Sequence, residues 1–422
     1  MKTINKLAIF GLWHLGSVIS TCCAKHFNVM AYDPSSEVVD NLNLGNAPVY
    51  EPELNNQLKA EITRNRVQFT NNLSIACNHA DVFWITYDTP VDENDLADNT
   101  FIYERIAEIC KLKQSAATII ISSQIVATTC AKLERDFSQH TFVYIPENLR
   151  LGKGIETFEN AERFIVGCRN KDINKLKELL APFNIELVFM KSESAEMVKH
   201  TINSFLALSV TFINEIATIC EQIDADAHEV SIGVKSDKRI GKSAYLKPGE
   251  PFAGGTLARD VVSLDTLHKY FQVKSPILSS IIESNENHKN WYLNQLNAIP
   301  YNKCKSILFL GLTYTENTNT LRRSNTLTLY KKLNRQNIKF YAYDSLVKTL
   351  PIEFVNIELI NNIDDLNVDI VIVFGHQSSF KLLNYNKLQH KDTLYFIDAN
   401  RYLYEQVKQL SNVKYITVGS II

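Results

Sequence analysis

Residues 6–16 read KLAIFGLWHLG. A short, mostly apolar run meets a glycine, and the turn from Gly11 to Gly16 opens a helical stretch to about Lys25. An apolar run of this length, bounded by turn residues, reads as a buried strand. The next strand, FNVMAYD (27–33), ends in Asp33, 22 residues after Gly11. DVFWITYDTP (81–90) and ATIIISSQ (117–124) follow as apolar strands with helical stretches between them. Strands alternating with helices require right-handed crossovers, which build a doubly wound parallel sheet.

That context gives the turn a chemistry, that of a Rossmann fingerprint. A glycine permits the tight turn, a helix N-terminus attracts pyrophosphate, and an acid at the end of the next strand accepts from ribose hydroxyls. Gly11, Trp13, His14, Leu15, Gly16 and Asp33 are therefore candidate dinucleotide contacts. Asp33 favours NAD over NADP, because a 2′-phosphate would meet a carboxylate. Trp13 stands where a middle glycine normally lets the backbone approach the pyrophosphate, so its side chain must point away or the cofactor must shift. A Rossmann domain that has lost its dinucleotide fits the same residues. Thr89 and Ser122–Ser123, at strand ends, place small polar groups at the carboxyl edge where such sheets bind ligands.

Beyond this first domain, SESAEMVKHTINSFLALSVTFINEIATICEQID (192–224) carries apolar residues at helical spacing with few breakers. It reads as one long helix or two, a spine for domain packing and dimerisation. CKSILFLGLTY (304–314), IKFYAYD (338–344), VDIVIVFG (368–375) and TLYFIDAN (393–400) supply a second set of parallel-type strands. The expected architecture is α/β: two doubly wound, Rossmann-like domains joined by a long helical segment. The boundaries expected are 1–190 for the NAD-binding domain, 191–298 for the helical dimerisation domain and 299–422 for the C-terminal α/β domain. Hydrophobic content of 45%, 21% charge and a net charge of -2 describe an ordinary globular chain. They argue against a general nucleic-acid or anionic-membrane surface. The eight cysteines show no metal-like spacing and read as free thiols, and no metal is expected. The first residues lack a signal peptide's h-region, and no continuous apolar run approaches the about 18 residues of a membrane span. A cytoplasmic protein is expected.

With these pieces placed, the sequence resembles the UDP-glucose/GDP-mannose dehydrogenase family over essentially its full length. The segments that carry the resemblance are the opening strand and turn, YDTPVDENDLAD, SSQIVATT, PENLRLGKG, ESAEMVKHTINSFLALSVTFINEI, RIGKSAYLKPGEPFAGGTLARD and LGLTYTENTNTLRRSN, in the family's order. The resemblance implies oxidation of a sugar C6 alcohol to a carboxylate with two NAD in succession, on a UDP- or GDP-hexose, by a homodimer serving polysaccharide biosynthesis. It implies that Lys199 and Asn203, four apart on one helix, stabilise and hold the alkoxide. Asp260 takes the alcohol proton with water or Lys199, and Ser123 positions the reacting groups. Glu147 activates water for hydrolysis of a thioester. Arg239 reaches a neighbouring subunit's site, and Arg322 lies near the cofactor. Arg150, Phe252 and Gly254 belong to the matching substrate segments.

The departures gather where the second oxidation takes place. The family loop reads Gly-Ser-Cys at the nucleophile, and here it is Gly254-Gly255-Thr256. Leu151 stands for a Glu, Arg259 for a Lys, Thr315 for a substrate-contacting Lys, and Asn400 for an Arg, with Arg401 next to it. Oxidising an alcohol to an aldehyde needs no nucleophile, whereas a cysteine thiolate is what makes the aldehyde a hydride donor again. A threonine hydroxyl is hardly ionised, and no histidine lies near Thr256 in sequence. The expected outcome is an oxidoreductase that stops at the aldehyde, or one in which Glu147 activates water to make a gem-diol. Two other readings fit: an epimerase-like enzyme that retains NAD and returns the hydride, and a nucleotide-sugar-binding paralogue without turnover.

Overall fold

The computed structural model describes all residues except 1–4, 91, 93–96, 147, 148, 150, 170–172, 253–255, 301–303, 314, 315, 317, 322, 334–336, 389–392 and 422, and the side chains of 99 and 421. The chain parts into two compact units, Met1–Ile202 and Asn203–Ile422.

The first unit is built on strands β1 (Lys6–Phe10), β2 (Asn28–Tyr32), β3 (Val67–Thr70), β4 (Val82–Ile85), β5 (Thr118–Ile121), β6 (Thr141–Tyr144), β7 (Arg163–Cys168) and β8 (Glu186–Met190), in the order β3-β2-β1-β4-β5-β6-β7-β8. The first six are mutually parallel; β7 runs antiparallel to β6 and parallel to β8. β4 and β5 are buried along their whole length, as strands covered on both faces must be. The strand order reverses between β1 and β4, so a crevice opens at the carboxyl ends of those two strands.

The second unit holds β9 (Ser306–Leu310), β10 (Lys339–Tyr343), β11 (Ile357–Leu359), β12 (Ile370–Val373), β13 (Leu394–Asp398), β14 (Val413–Thr417) and β15 (Ser420–Ile421), ordered β11-β10-β9-β12-β13-β14-β15. All are parallel but the last, and the order again reverses, here between β9 and β12. The two halves repeat one wiring. Gly11 N–H donates to Tyr32 O at 2.9 Å and Gly311 N–H to Tyr343 O at 2.9 Å. Leu12 N–H donates to Asp33 Oδ2 at 2.9 Å, and Leu312 N–H to Asp344 Oδ2 at 2.9 Å.

Residues 192–223 form one uninterrupted helix, Ser192–Ile223, rather than two. Its most apolar 18-residue window has a mean hydropathy of 1.4, and 50% of that window is buried. By length and composition it is long enough to cross a membrane, although serine, threonine, asparagine and glutamate interrupt it and no continuous apolar run in it reaches that length. A buried core helix passes the same test.

Candidate active site

In the first unit the crevice is built around the Gly11–Gly16 turn. Gly11 adopts φ +95°, and a Cβ there would lie 2.6 Å from the Tyr87 ring. A Cβ on Gly16 would fall 1.8 Å from Gly11 O, so both positions need glycine. Trp13 adopts φ -75° at the head of the helix His14–Ala24 and is half exposed, so the strand-turn-helix path accommodates the large side chain. Trp13 at the N-cap makes no side-chain cap bond and the first turn carries no acid, which leaves the N-terminus suited to a diphosphate. Asp33 accepts from Leu12 N–H and, through Oδ1, from Ser35 N–H at 3.0 Å. A carboxylate has about four lone-pair sites, so acceptor capacity remains for ribose hydroxyls.

The two serines after β5 differ. Ser122 Oγ accepts from Trp84 Nε1 at 2.9 Å and donates to Ile145 O at 2.6 Å. Ser123 Oγ is buried and finds no partner among the described residues. A buried hydroxyl without a partner is costly unless a ligand completes it. Thr89 donates its hydroxyl to Gln124 O at 2.6 Å and thus fastens the crevice wall. With two glycines no larger residue can replace, an acid with spare acceptors and one orphan hydroxyl, the residues present fit NAD. Lys199 is buried and lines a cavity of about 210 Å³ that Leu15, Trp84, Ile145 and Leu149 also line.

In the second unit, Asn203 Nδ2 donates to Asp260 Oδ2, and both side chains are buried. The helices Ser192–Ile223 and Thr256–Tyr270 thereby bring together two of the candidates. Thr256 heads the second helix, is exposed, and lines a cavity of about 300 Å³ with Phe252, Glu250, Thr313, Gly375, His376 and Asn400. Four of these were not singled out as site residues by sequence reasoning: His376, Glu250, Thr313 and Gly375. The imidazole of His376 is pushed down to about 4 by burial and by Lys247 and Lys381, so it is neutral at pH 7 and a weak base. Burial pushes the Glu250 carboxyl up; it accepts from Tyr292 Oη at 2.8 Å and Gly375 N–H at 3.2 Å. Asn400 does not stand free in its Arg's place: its Oδ1 accepts from Glu250 N–H at 3.0 Å. Arg401 offers no substitute charge, being paired with Asp226 at 2.7 Å. Arg239 is exposed and bonded to Asp237. Glu147, Arg150, Gly254, Gly255, Thr315 and Arg322 lie outside the described residues.

Comparison with known proteins places this geometry. Residues 5–184 match the NAD binding domain of the UDP-glucose/GDP-mannose dehydrogenase family, 193–287 its central domain and 308–405 its UDP binding domain. The UDP-glucose 6-dehydrogenase of Rickettsia felis is 28% identical over 413 residues, covering 93% of this chain and 91% of the relative. The UDP-glucose 6-dehydrogenase TuaD of Bacillus subtilis is 30% identical over 354 residues, 81% of this chain and 76% of TuaD. In fold, the chain matches a UDP-glucose dehydrogenase from Pyrobaculum islandicum with a TM-score of 0.85 at 22% identity, over 99% of this chain and 98% of that one. With three domain models matched in order and a 30% identical relative aligned over most of both lengths, the chain belongs to the UDP-glucose/GDP-mannose dehydrogenase family of NAD-dependent oxidoreductases acting on the CH–OH of a nucleotide sugar.

Proposed function

We propose that this chain oxidises the C6 alcohol of a UDP- or GDP-hexose and stops mainly at the aldehyde, because Thr256 stands where the family's cysteine does. The observation that carries the reading is the cavity beside Thr256. None of the eight cysteines lines it among the described residues, and the one histidine that does is a weak base. A threonine without an effective base does not form the covalent adduct that the second oxidation requires.

Bound NAD supplies the hydride acceptor at the Gly11–Gly16 turn. Lys199 stabilises the developing alkoxide, as a preorganised cation in a water-poor site does. Asp260, oriented by the Asn203 amide, receives the alcohol proton. Ser123 supplies the buried hydroxyl that orients the reacting groups. Glu147, Arg150, Phe252, Gly254 and Arg322 take their roles from the resemblance alone. The domain division at residues 190 and 298 and a cytoplasmic location belong to the same proposal.

We place a second copy of the chain on the long helix. Phe205, Phe212, Ile219 and Ile223 are all exposed there at spacings of 7, 7 and 4, which puts them on one face. Exposed Arg239 is then available to the neighbouring subunit. The test of the reaction is a panel of UDP- and GDP-hexoses with NAD, read by NADH formation and product mass. An aldehyde with one NADH per sugar is expected; a carboxylate with two would overturn the aldehyde stop.

A further inference from the structure

Glu51 precedes the helix Leu54–Thr63 in a connecting segment, yet its side chain is only 1% exposed. Its Oε2 lies 2.7 Å from His14 Nε2 and accepts from Gly152 N–H at 3.0 Å; its Oε1 accepts from Gly154 N–H at 2.6 Å. A carboxylate only accepts, so His14 donates from Nε2. One buried carboxylate thus receives three donors from two distant stretches of chain. His14 is the first residue of the helix that follows the cofactor turn. Gly152 and Gly154 end PENLRLGKG, the segment that holds Glu147 and Arg150. The fit there is close: Gly152 adopts φ +84°, and a Cβ on Gly154 would stand 3.0 Å from Val18, 3.2 Å from His14 Nε2 and 3.3 Å from the Glu51 carboxyl carbon.

We propose that Glu51 is a positioning residue that ties the cofactor turn to the end of the PENLRLGKG segment through a single carboxylate. The proposal rests on NAD occupying the Gly11–Gly16 turn. The charge-assisted bonds at 2.6–3.0 Å set the orientation of the His14 ring and of two loop amides together. A neutral amide cannot do this, since its NH₂ would face an N–H donor and leave it unsatisfied.

The test uses the full-length protein without sugar nucleotide, so it is independent of which hexose is the substrate. Calorimetry gives the NAD dissociation constant, and amide hydrogen exchange reads Gly152 and Gly154. Glu51→Gln, which keeps the volume, is expected to weaken NAD about tenfold, the loss of one charge-assisted bond, and to speed exchange at both amides. In the unmutated protein NAD slows exchange at Gly152 and Gly154; in Glu51→Gln it does not. His14→Ala, which leaves Glu51 in place, also speeds exchange at Gly152, and this arm stands if Glu51→Gln does not fold. Faster exchange at the two amides with NAD affinity unchanged would make Glu51 a loop fastener only, and would overturn the proposal. So would unchanged exchange at Gly152 in His14→Ala. Failure of the unmutated protein to bind NAD at all would instead overturn the cofactor assignment on which the proposal rests.

Discussion

Removing the Asp33 carboxylate takes two acceptors from the cofactor turn at once, one of them holding Leu12 N–H and the other Ser35 N–H. Asp33→Ala is therefore expected to weaken NAD by roughly 1.5–3 kcal/mol, the range for hydrogen bonds to a charged group. Calorimetric titration with NAD and NADP checks this, and NADP binding as tightly as NAD in the unmutated protein would contradict the role given to Asp33. Thr256 makes a different prediction. Thr256→Ala should hold turnover within a few-fold, while Thr256→Cys should restore a thiolate nucleophile and raise the NADH formed per sugar above one. NADH counted against sugar nucleotide consumed decides it. Two NADH in the unmutated protein, falling on Thr256→Ala, would make the threonine itself the nucleophile.

At the scale of elements, the strand-turn-helix of residues 6–24 was legible because its signals are local: an apolar run, two glycines and an acid one strand later. Lys199 and Asn203 came from the family resemblance instead, because a lysine and an asparagine four apart on one helix mark no site by their spacing alone. Glu51, Glu250 and His376 were legible in neither way. Glu51 reaches His14 across 37 residues, and Glu250 meets Asn400 across 150; no periodicity or spacing encodes such a pairing. The helix Ala227–Ser236 carries a further group that spacing does not reveal, the half-buried His228. Burial, with Arg401 adding to it, pushes the His228 imidazole down to about 4. The unfolded chain takes up that proton first, near the ordinary 6.5. The stability contributed by the neutral ring is thus complete above about pH 6.5 and is lost as pH falls toward about 4. Denaturant titrations across that interval should show the fall, and His228→Asn should flatten it; an equal slope in the mutant would assign the effect to other groups.

For the whole molecule, the exposed stripe of Phe205, Phe212, Ile219 and Ile223 predicts that Phe212→Glu shifts the protein from dimer to monomer in sedimentation, by placing a charge where an apolar face is covered. A monomeric unmutated protein would remove the second copy from the proposal. The repeated wiring of the two halves bears on stoichiometry. Asp33 holds two backbone donors, whereas Asp344 receives Leu312, Thr313, Leu346 and Val347 N–H, the Thr313 hydroxyl and the Gln377 amide. Its lone pairs are fully subscribed within the protein, so the second turn has no acceptor to offer a ribose. A chain with two dinucleotide-like turns should accordingly titrate with one equivalent of NAD, and Asp344→Ala should lower its melting temperature while leaving that equivalence point where it was.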